Sequence, residues 1–354
     1  MEGKFFDGTC VRTTENGYET FSSASPESLP WVAPGLVDMQ VNGFAGVDFN
    51  GETLTFDAYV HALRCSWEHH VTTILPTLVT NSVAFLTERL ALLETYRQRA
   101  LGMKGLAVAP FYHLEGPFIS PTEGYRGAHP LEFVLETGRG DVETLLRTWQ
   151  TAAGGRIKIV TFSPHGDKVP EFVRELASLG IRASVGHTDA TAEQIHAAAE
   201  SGATLATHLG NACAQLLPRH ANPIWSILAD ERLWISMIPD GFHLPPDMLQ
   251  VFYRVKREKA LLVSDATQYT GQKPGSYQTH IGGNVVLTPE GKLHLAGQPN
   301  VLAGAAKSLY EGWCHLVELG FASKETLWKM ASAHPLRFLT GEDFNVKYTP
   351  IIKI

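Results

Sequence analysis

Residues 181–211 read IRASVGHTDATAEQIHAAAESGATLATHLGN. The stretch opens on a short strand pattern (181–189), runs through a helical pattern, and closes on a second strand pattern (204–211). Thr191, with Gln194 three residues on, carries a capping-box signature, and Gly202 suits the stop of the helix. Each strand pattern runs into a histidine, His187 in the first and His208 in the second. Strand, helix and strand in this order form one βα repeat, the building unit of a parallel sheet.

Working outward, the unit recurs. Eight candidate strands fall at 31–42, 70–80, 105–116, 156–164, 181–189, 204–211, 233–241 and 260–267. Helical patterns separate most of them, and near the end Leu309, Trp313, Leu316 and Val317 share one helical face closed by Gly320. Eight strand–helix alternations predict an α/β fold of the (β/α)8 TIM type. The rival open doubly wound sheet calls for a Gly-rich dinucleotide turn after the first strand, and none is present. Residues 1–33 read as a few short strands or an irregular cover. Residues 276–301 break the rhythm and read as short antiparallel strands around Pro289-Glu290-Gly291, a small β element outside the barrel. The expected organisation is therefore 1–33, a barrel over 34–340 carrying the insertion, and a C-terminal tail over 341–354.

Composition narrows the function. Lys and Arg number 29 against 36 Asp and Glu, a net charge of −7 with no basic run, which excludes a nucleic-acid binder. No apolar run reaches the ~18–20 residues of a membrane span. Four scattered cysteines without a CxxC, and an N-terminus without a secretory pattern, lead to the expectation of a reduced, cytoplasmic protein. Histidine is abundant, with 15 copies, which raises the prior for metal or acid–base chemistry without locating it.

In a barrel of this type, chemistry gathers at the C-terminal ends of the strands. Those ends supply Asp38, Gln40 and Asn42, then His113 and Glu115, then His187, then His208, then Asp240 and His243, and finally Asp265. Glu115, His187 and His208 together make one carboxylate and two imidazoles, a familiar catalytic metal set with a position left open for water. Buried ionisable groups brought this close need a metal or substrate to organise them. Any one of them alone is more simply a helix cap or a satisfied loop residue.

At these positions the sequence resembles the N-acetylglucosamine-6-phosphate deacetylase family of the amidohydrolase superfamily. The matching segments are PGLVDMQVNGFAGVDFN, HLEGPFIS, RGAHP, VTFSP, SVGHTDAT, ATHLGNA, PDGFH and VSDAT, spread in family order from about residue 34 to 340. The resemblance implies a deacetylase that converts N-acetylglucosamine 6-phosphate to glucosamine 6-phosphate and acetate. It further implies one divalent ion per subunit, Zn²⁺ before Fe²⁺, held by Glu115, His187 and His208 in the single-metal branch, because Gln40 and Asn42 stand where many amidohydrolases carry His-x-His. Asp265 is implied as general base and His243 as the group that polarises the acetyl carbonyl. His129 is implied as a sugar contact, Asn211 and Ala212 as backbone phosphate contacts, and Arg219 as a phosphate partner reaching the neighbouring subunit of a homodimer. Gln40, Asn42 and His113 are expected to support these groups from behind. The family's small β-sandwich is expected in reduced form, built from the N-terminus and the residues near 276–301.

Departures from the family pattern are the VLAGAA run at 301–306, Gly210 where a bulkier residue is common, and LLPRHANPIW around Arg219. They leave room for a deacylase of another N-acyl amino sugar, unphosphorylated or differently configured. A metal-free binding homologue is the rival from another class, and it predicts loss of a ligand or of the base. Cys213 reads as a packed small hydrophobe. His69, His70, His196, His220, His280, His294, His315 and His334 carry no assigned chemistry.

Overall fold

The structure, a computed structural model, describes residues 1–279 and 283–354. His280 lies outside the described residues. Eight parallel strands form the central sheet in sequential order: β1 (Leu36–Val41), β2 (Val71–Val79), β3 (Tyr112–Glu115), β4 (Ile157–Phe162), β5 (Arg182–Val185), β6 (Leu205–Ala206), β7 (Trp234–Met237) and β8 (Ala260–Leu262). A parallel bridge between Val41 and Ala266, with Asn42 N–H donating to the Ala266 carbonyl at 2.8 Å, brings the last strand back to the first. All eight candidate strands are present, and each turns out shorter than its apolar run.

Helices α1 (Phe56–Glu68), α2 (Val83–Arg99), α3 (Val142–Ala152), α4 (Val169–Ser178), α5 (Ala192–Glu200), α6 (Pro223–Ala229) and α7 (Pro246–Lys256) alternate with the strands, followed by α8 (Leu309–Leu319), α9 (Lys324–Lys329) and α10 (Ala333–Thr340). Five of these ten start behind a side-chain cap: Thr55, Ser82, Thr191, Ser308 and Ser323 each accept an N–H from the first turn. The Thr191–Gln194 box forms in both directions, and Gly320 ends α8 in the left-handed conformation.

Period-two alternation divides the strand residues between two cores. Ile74, Leu78, Val160, Phe162, Ala206 and Leu262 face the helices. Val37, Leu75, Ile159, Leu205 and Leu261 instead join Leu336 and Phe338 of α10 in an inner cluster. The lower part of the barrel interior therefore holds an apolar cluster, and the site's polar side chains lie in the layers above it.

Antiparallel elements lie outside the barrel. Glu2–Lys4, Cys10–Thr14 and Gly17–Thr20 form a three-stranded sheet, and Ile351–Lys353 pairs with Val32–Pro34. Strands at Gly275–Thr279, Gly283–Leu287, Leu293–Leu295 and Gln298–Leu302 form a four-stranded sheet with its own core of Tyr269, Val285, Leu287 and Leu293, one strand pair turning at Gly291. Among the described residues no helix is long and apolar enough to cross a membrane.

Candidate metal centre and catalytic mouth

The site is built in two layers. In the lower layer, His113 on β3 points into the barrel with both ring nitrogens engaged: Nδ1 lies 3.1 Å from the Met39 carbonyl and Nε2 2.8 Å from Thr161 Oγ1. A carbonyl only accepts, so Nδ1 carries the proton and Nε2 accepts from Thr161. Thr161 Oγ1 then accepts from Thr207 Oγ1 at 2.7 Å, and Thr207 accepts from Ser184 Oγ at 2.6 Å. The result is one directed chain, Ser184 to Thr207 to Thr161 to His113 to Met39, that fastens β1, β3, β4, β5 and the end of β6. Burial keeps His113 neutral, with its pKa pushed down to about 4.

One step higher the donors converge without closing. His187 Nε2 lies 3.0 Å and His208 Nε2 2.7 Å from the same oxygen, Glu115 Oε1. All three side chains are buried. Burial pushes the Glu115 carboxyl up, but the two imidazoles outweigh it and hold the group well below the usual carboxylate range. For His208 burial works downward, and the Glu115 contact reverses it to a net rise. His187 Nδ1 sits 3.0 Å from the Tyr125 carbonyl, which fixes the proton on Nδ1. With Nδ1 carrying a proton, Nε2 is the nitrogen free to give its lone pair to a cation placed between it and Glu115 Oε1. His208 Nδ1 is buried with no partner. This donor set fits a divalent ion, whose ~2 Å bonds put neighbouring ligand atoms about 3–3.5 Å apart.

Glu115, His129 and His187 also offer ligand atoms within 4.8 Å of one another, so His129 borders the same centre. Its chemistry differs. His129 Nδ1 accepts the Thr80 backbone N–H at 3.3 Å and lies 2.8 Å from Thr80 Oγ1. Its proton is thus on Nε2, and burial next to His187 pushes its pKa down to about 3, so it faces the mouth as a neutral N–H donor.

Across the mouth, Asp265 Oδ1 accepts from Asn42 Nδ2 at 2.7 Å and from Gln40 Nε2 at 3.1 Å. The two amides that replace a His-x-His pair therefore orient a carboxylate here. Burial, with repulsion from Glu115, raises the Asp265 pKa to about 7. A cation on Glu115 would draw it back down. His243 Nδ1 donates to Asp240 Oδ2 at 2.7 Å, while Asp240 Oδ1 accepts the N–H groups of Phe242 and His243, both at 2.9 Å. Burial pushes the Asp240 carboxyl up, but these contacts outweigh it, and its pKa lies below the usual range. His243 Nε2 is left free of Asp240.

Backbone conformation marks the same residues. His187, His208 and Asp265 have φ of 49°, 33° and 51°, in the left-handed region that side chains of this size avoid. A sharp turn just past the strand end swings each side chain toward the barrel axis. Ala212, at φ 48°, belongs to the same set. Gly210 (φ 89°) holds a backbone conformation that strains any side chain, and a Cβ there would press Leu244 Cδ2 at 2.9 Å.

The remaining sequence-derived candidates lie on the following loop. Asn211 N–H and Nδ2 both turn back to the His208 carbonyl, at 2.9 and 3.2 Å. Arg219 is exposed and has no ion-pair partner among the described residues. Cys213 is half-buried and its thiol is pushed up by burial, as befits a packed rather than reactive sulfur. Thr80, Tyr125 and Thr161 escaped the sequence-based site, and Asp240, found there at a strand end, had no role assigned to it. Thr161 and Asp240 left a trace there, a polar residue inside an apolar strand and an acid three residues before a histidine. Tyr125 contributes only its carbonyl, which leaves no trace in the choice of residue.

This geometry can be set beside known proteins. A zebrafish (Danio rerio) protein named N-acetylglucosamine-6-phosphate deacetylase is 32% identical over 347 residues, covering 96% of this chain and 82% of its own. The chain belongs to the N-acetylglucosamine-6-phosphate deacetylase family. An Escherichia coli O157:H7 relative named N-acetylgalactosamine-6-phosphate deacetylase is 29% identical over 324 residues, 90% of this chain and 80% of its own. Among solved structures, a mutant N-acetyl-D-glucosamine-6-phosphate deacetylase from Mycobacterium smegmatis, in complex with N-acetyl-D-glucosamine-6-phosphate, superposes with a TM-score of 0.81 at 25% identity. It covers 96% of this chain and 89% of its own. No family model matches the chain.

Proposed function

We propose that the mouth of this family member hydrolyses the acetamide of N-acetylglucosamine 6-phosphate, releasing acetate and glucosamine 6-phosphate. The observation that carries the reading is the pairing of two half-sites: three buried donors meeting at Glu115 Oε1, and Asp265 held opposite them by Asn42 and Gln40. Glu115, His187 and His208 would hold one divalent ion, Zn²⁺ in first place and Fe²⁺ in second. When bound, the ion supplies the acidity that turns water into a nucleophile near neutral pH. Asp265 takes the proton of the attacking water and returns it to the nitrogen as the C–N bond breaks, so the amine leaves neutral. His243, its Nδ1–H fixed by Asp240, steadies the oxygen that gains charge. His129 Nε2–H donates to a sugar hydroxyl rather than serving as a ligand, since a protonated nitrogen has no lone pair to give.

The phosphate falls to the backbone at Asn211 and Ala212, where the Asn211 N–H is engaged by the His208 carbonyl and the Ala212 N–H is left to donate, and to Arg219 of a second copy. Support for a homodimer comes from the apolar surface around that loop. Leu216 is 91% exposed, Trp225 on α6 is exposed, and Val251 and Val255 are exposed on the neighbouring α7. Four free cysteines fit a reducing, cytoplasmic setting.

The test is acetate release by the zinc-loaded protein from four sugars: the 6-phosphates of N-acetylglucosamine and N-acetylgalactosamine, and both unphosphorylated sugars. Highest kcat/KM on N-acetylglucosamine 6-phosphate is expected, with Arg219→Ala raising KM for the phosphorylated sugar alone. Preference for the galactosamine compound would move the assignment to the other family activity, and equal turnover without phosphate would remove the phosphate site.

A further inference from the structure

On the face of the barrel opposite the mouth, the α2–β3 loop, the residue before β4 and the chain near 347 enclose a cavity of about 240 Å³. Three cations line it, Arg97, Arg156 and Lys347. One carboxylate, Glu94, stands against them, and it is already engaged. Arg97 gives it two N–H contacts of 2.7 Å, Gln98 adds one of 2.8 Å and Tyr112 one of 3.2 Å. Arg156 donates from Nη1 to the Pro110 carbonyl at 3.3 Å, and its Nε lies 3.5 Å from Glu94 in an ion pair without a hydrogen bond. Tyr59, which also lines the cavity, is fully buried, and its Oη has no partner. Burial raises the Tyr59 pKa, so the phenol keeps its proton and remains a donor. Lys347 is exposed and has no carboxylate partner among the described residues. Leu63 and Met103 give the wall an apolar part.

With Glu94 already engaged by Arg97, the cavity lining keeps two further cations, Arg156 and Lys347, and that surplus favours an anionic occupant. We propose that this cavity binds a small organic anion, a carboxylate or phosphate-monoester head on a short apolar body, with the head between Arg156 and Lys347. A ligand of this size suits the volume, and the apolar wall receives its body. The site sits at the N-terminal ends of the strands, about 10 Å of β3 away from Glu115, so its occupant does not compete with substrate. The inference is independent of the deacetylase reading.

Calorimetric titration of the full chain with butyl phosphate, butyrate and inorganic phosphate tests it. Expected is one-to-one binding of at least one organic anion, weaker binding of inorganic phosphate, and loss of affinity by tenfold or more in Arg156→Ala and in Lys347→Ala. Lys347 is exposed, so that variant leaves the fold intact and keeps the test valid if Arg156→Ala does not fold. Absence of binding by both organic anions would overturn the proposal. So would equal affinity in wild type and variants.

Discussion

His113 and His208 occupy adjacent layers of one barrel and live in opposite circumstances. His113 is at the end of a directed hydroxyl chain, with both nitrogens satisfied. His208 leaves one nitrogen orphaned and turns the other onto Glu115 alongside His187. Both are buried histidines next to the same carboxylate, so neither residue type nor burial separates structure from function. The separation lies in what remains unsatisfied: the lower layer is closed, and the upper one is complete only with a cation and a substrate.

The comparison breaks most sharply in the upper layer. Glu115→Gln removes the charge on which both imidazoles converge. Elemental analysis should find the metal largely gone and turnover down by about 10³-fold or more; retained metal at full occupancy would mean that the donors meet elsewhere. Asp265→Asn should keep the metal and lose about 10²–10⁴ in kcat. The apo protein should also gain a few degrees in Tm at pH 8, since a carboxyl whose pKa is raised to about 7 by burial and Glu115 destabilises the fold once ionised. An unchanged or lower Tm would contradict that repulsion.

The lower layer should respond differently. Thr161→Val strands His113 Nε2 and the Thr207 hydroxyl, at a cost of about 1–3 kcal/mol read as a lower midpoint in urea. Metal content should stay near wild type, and a collapse of metal binding instead would make the two layers one unit. The smallest effect is on pH dependence. In the proposed reaction Asp265 works as the anion, and Asn42 donates to that carboxylate, lowering its pKa. Asn42→Ala therefore raises the pKa and moves the acid limb of kcat/KM upward by roughly one pH unit, whereas a downward move would reverse the role of the amide.

Much of this was legible in the sequence, for physical reasons. Barrel strands buried on both sides leave apolar runs, and a polar residue at the end of such a run has only the mouth to face. That placed Glu115, His187, His208, His243 and Asp265 without any coordinates. The expected strand over 204–211 shrinks to Leu205–Ala206, because His208 and Gly210 leave extended geometry at positive φ. The approach of His129 to the centre was not legible from pattern, since the loop after β3 has no periodicity to reveal how far it reaches. Nor was the directed hydroxyl chain, whose members are distant in sequence and common in type. His113 stood out only through its spacing from Glu115.

The strand at Ile351–Lys353 has a consequence for how the molecule comes into being. It pairs with Val32–Pro34, the segment that leads directly into β1, and Gly35 N–H donates to the Pro350 carbonyl at 2.9 Å. A ribosome delivers β1 early and its anchor after all eight barrel strands have left the tunnel. The edge at Val32–Pro34 therefore waits for its partner while all eight barrel strands are made, and the entry to β1 is fastened only after they have emerged.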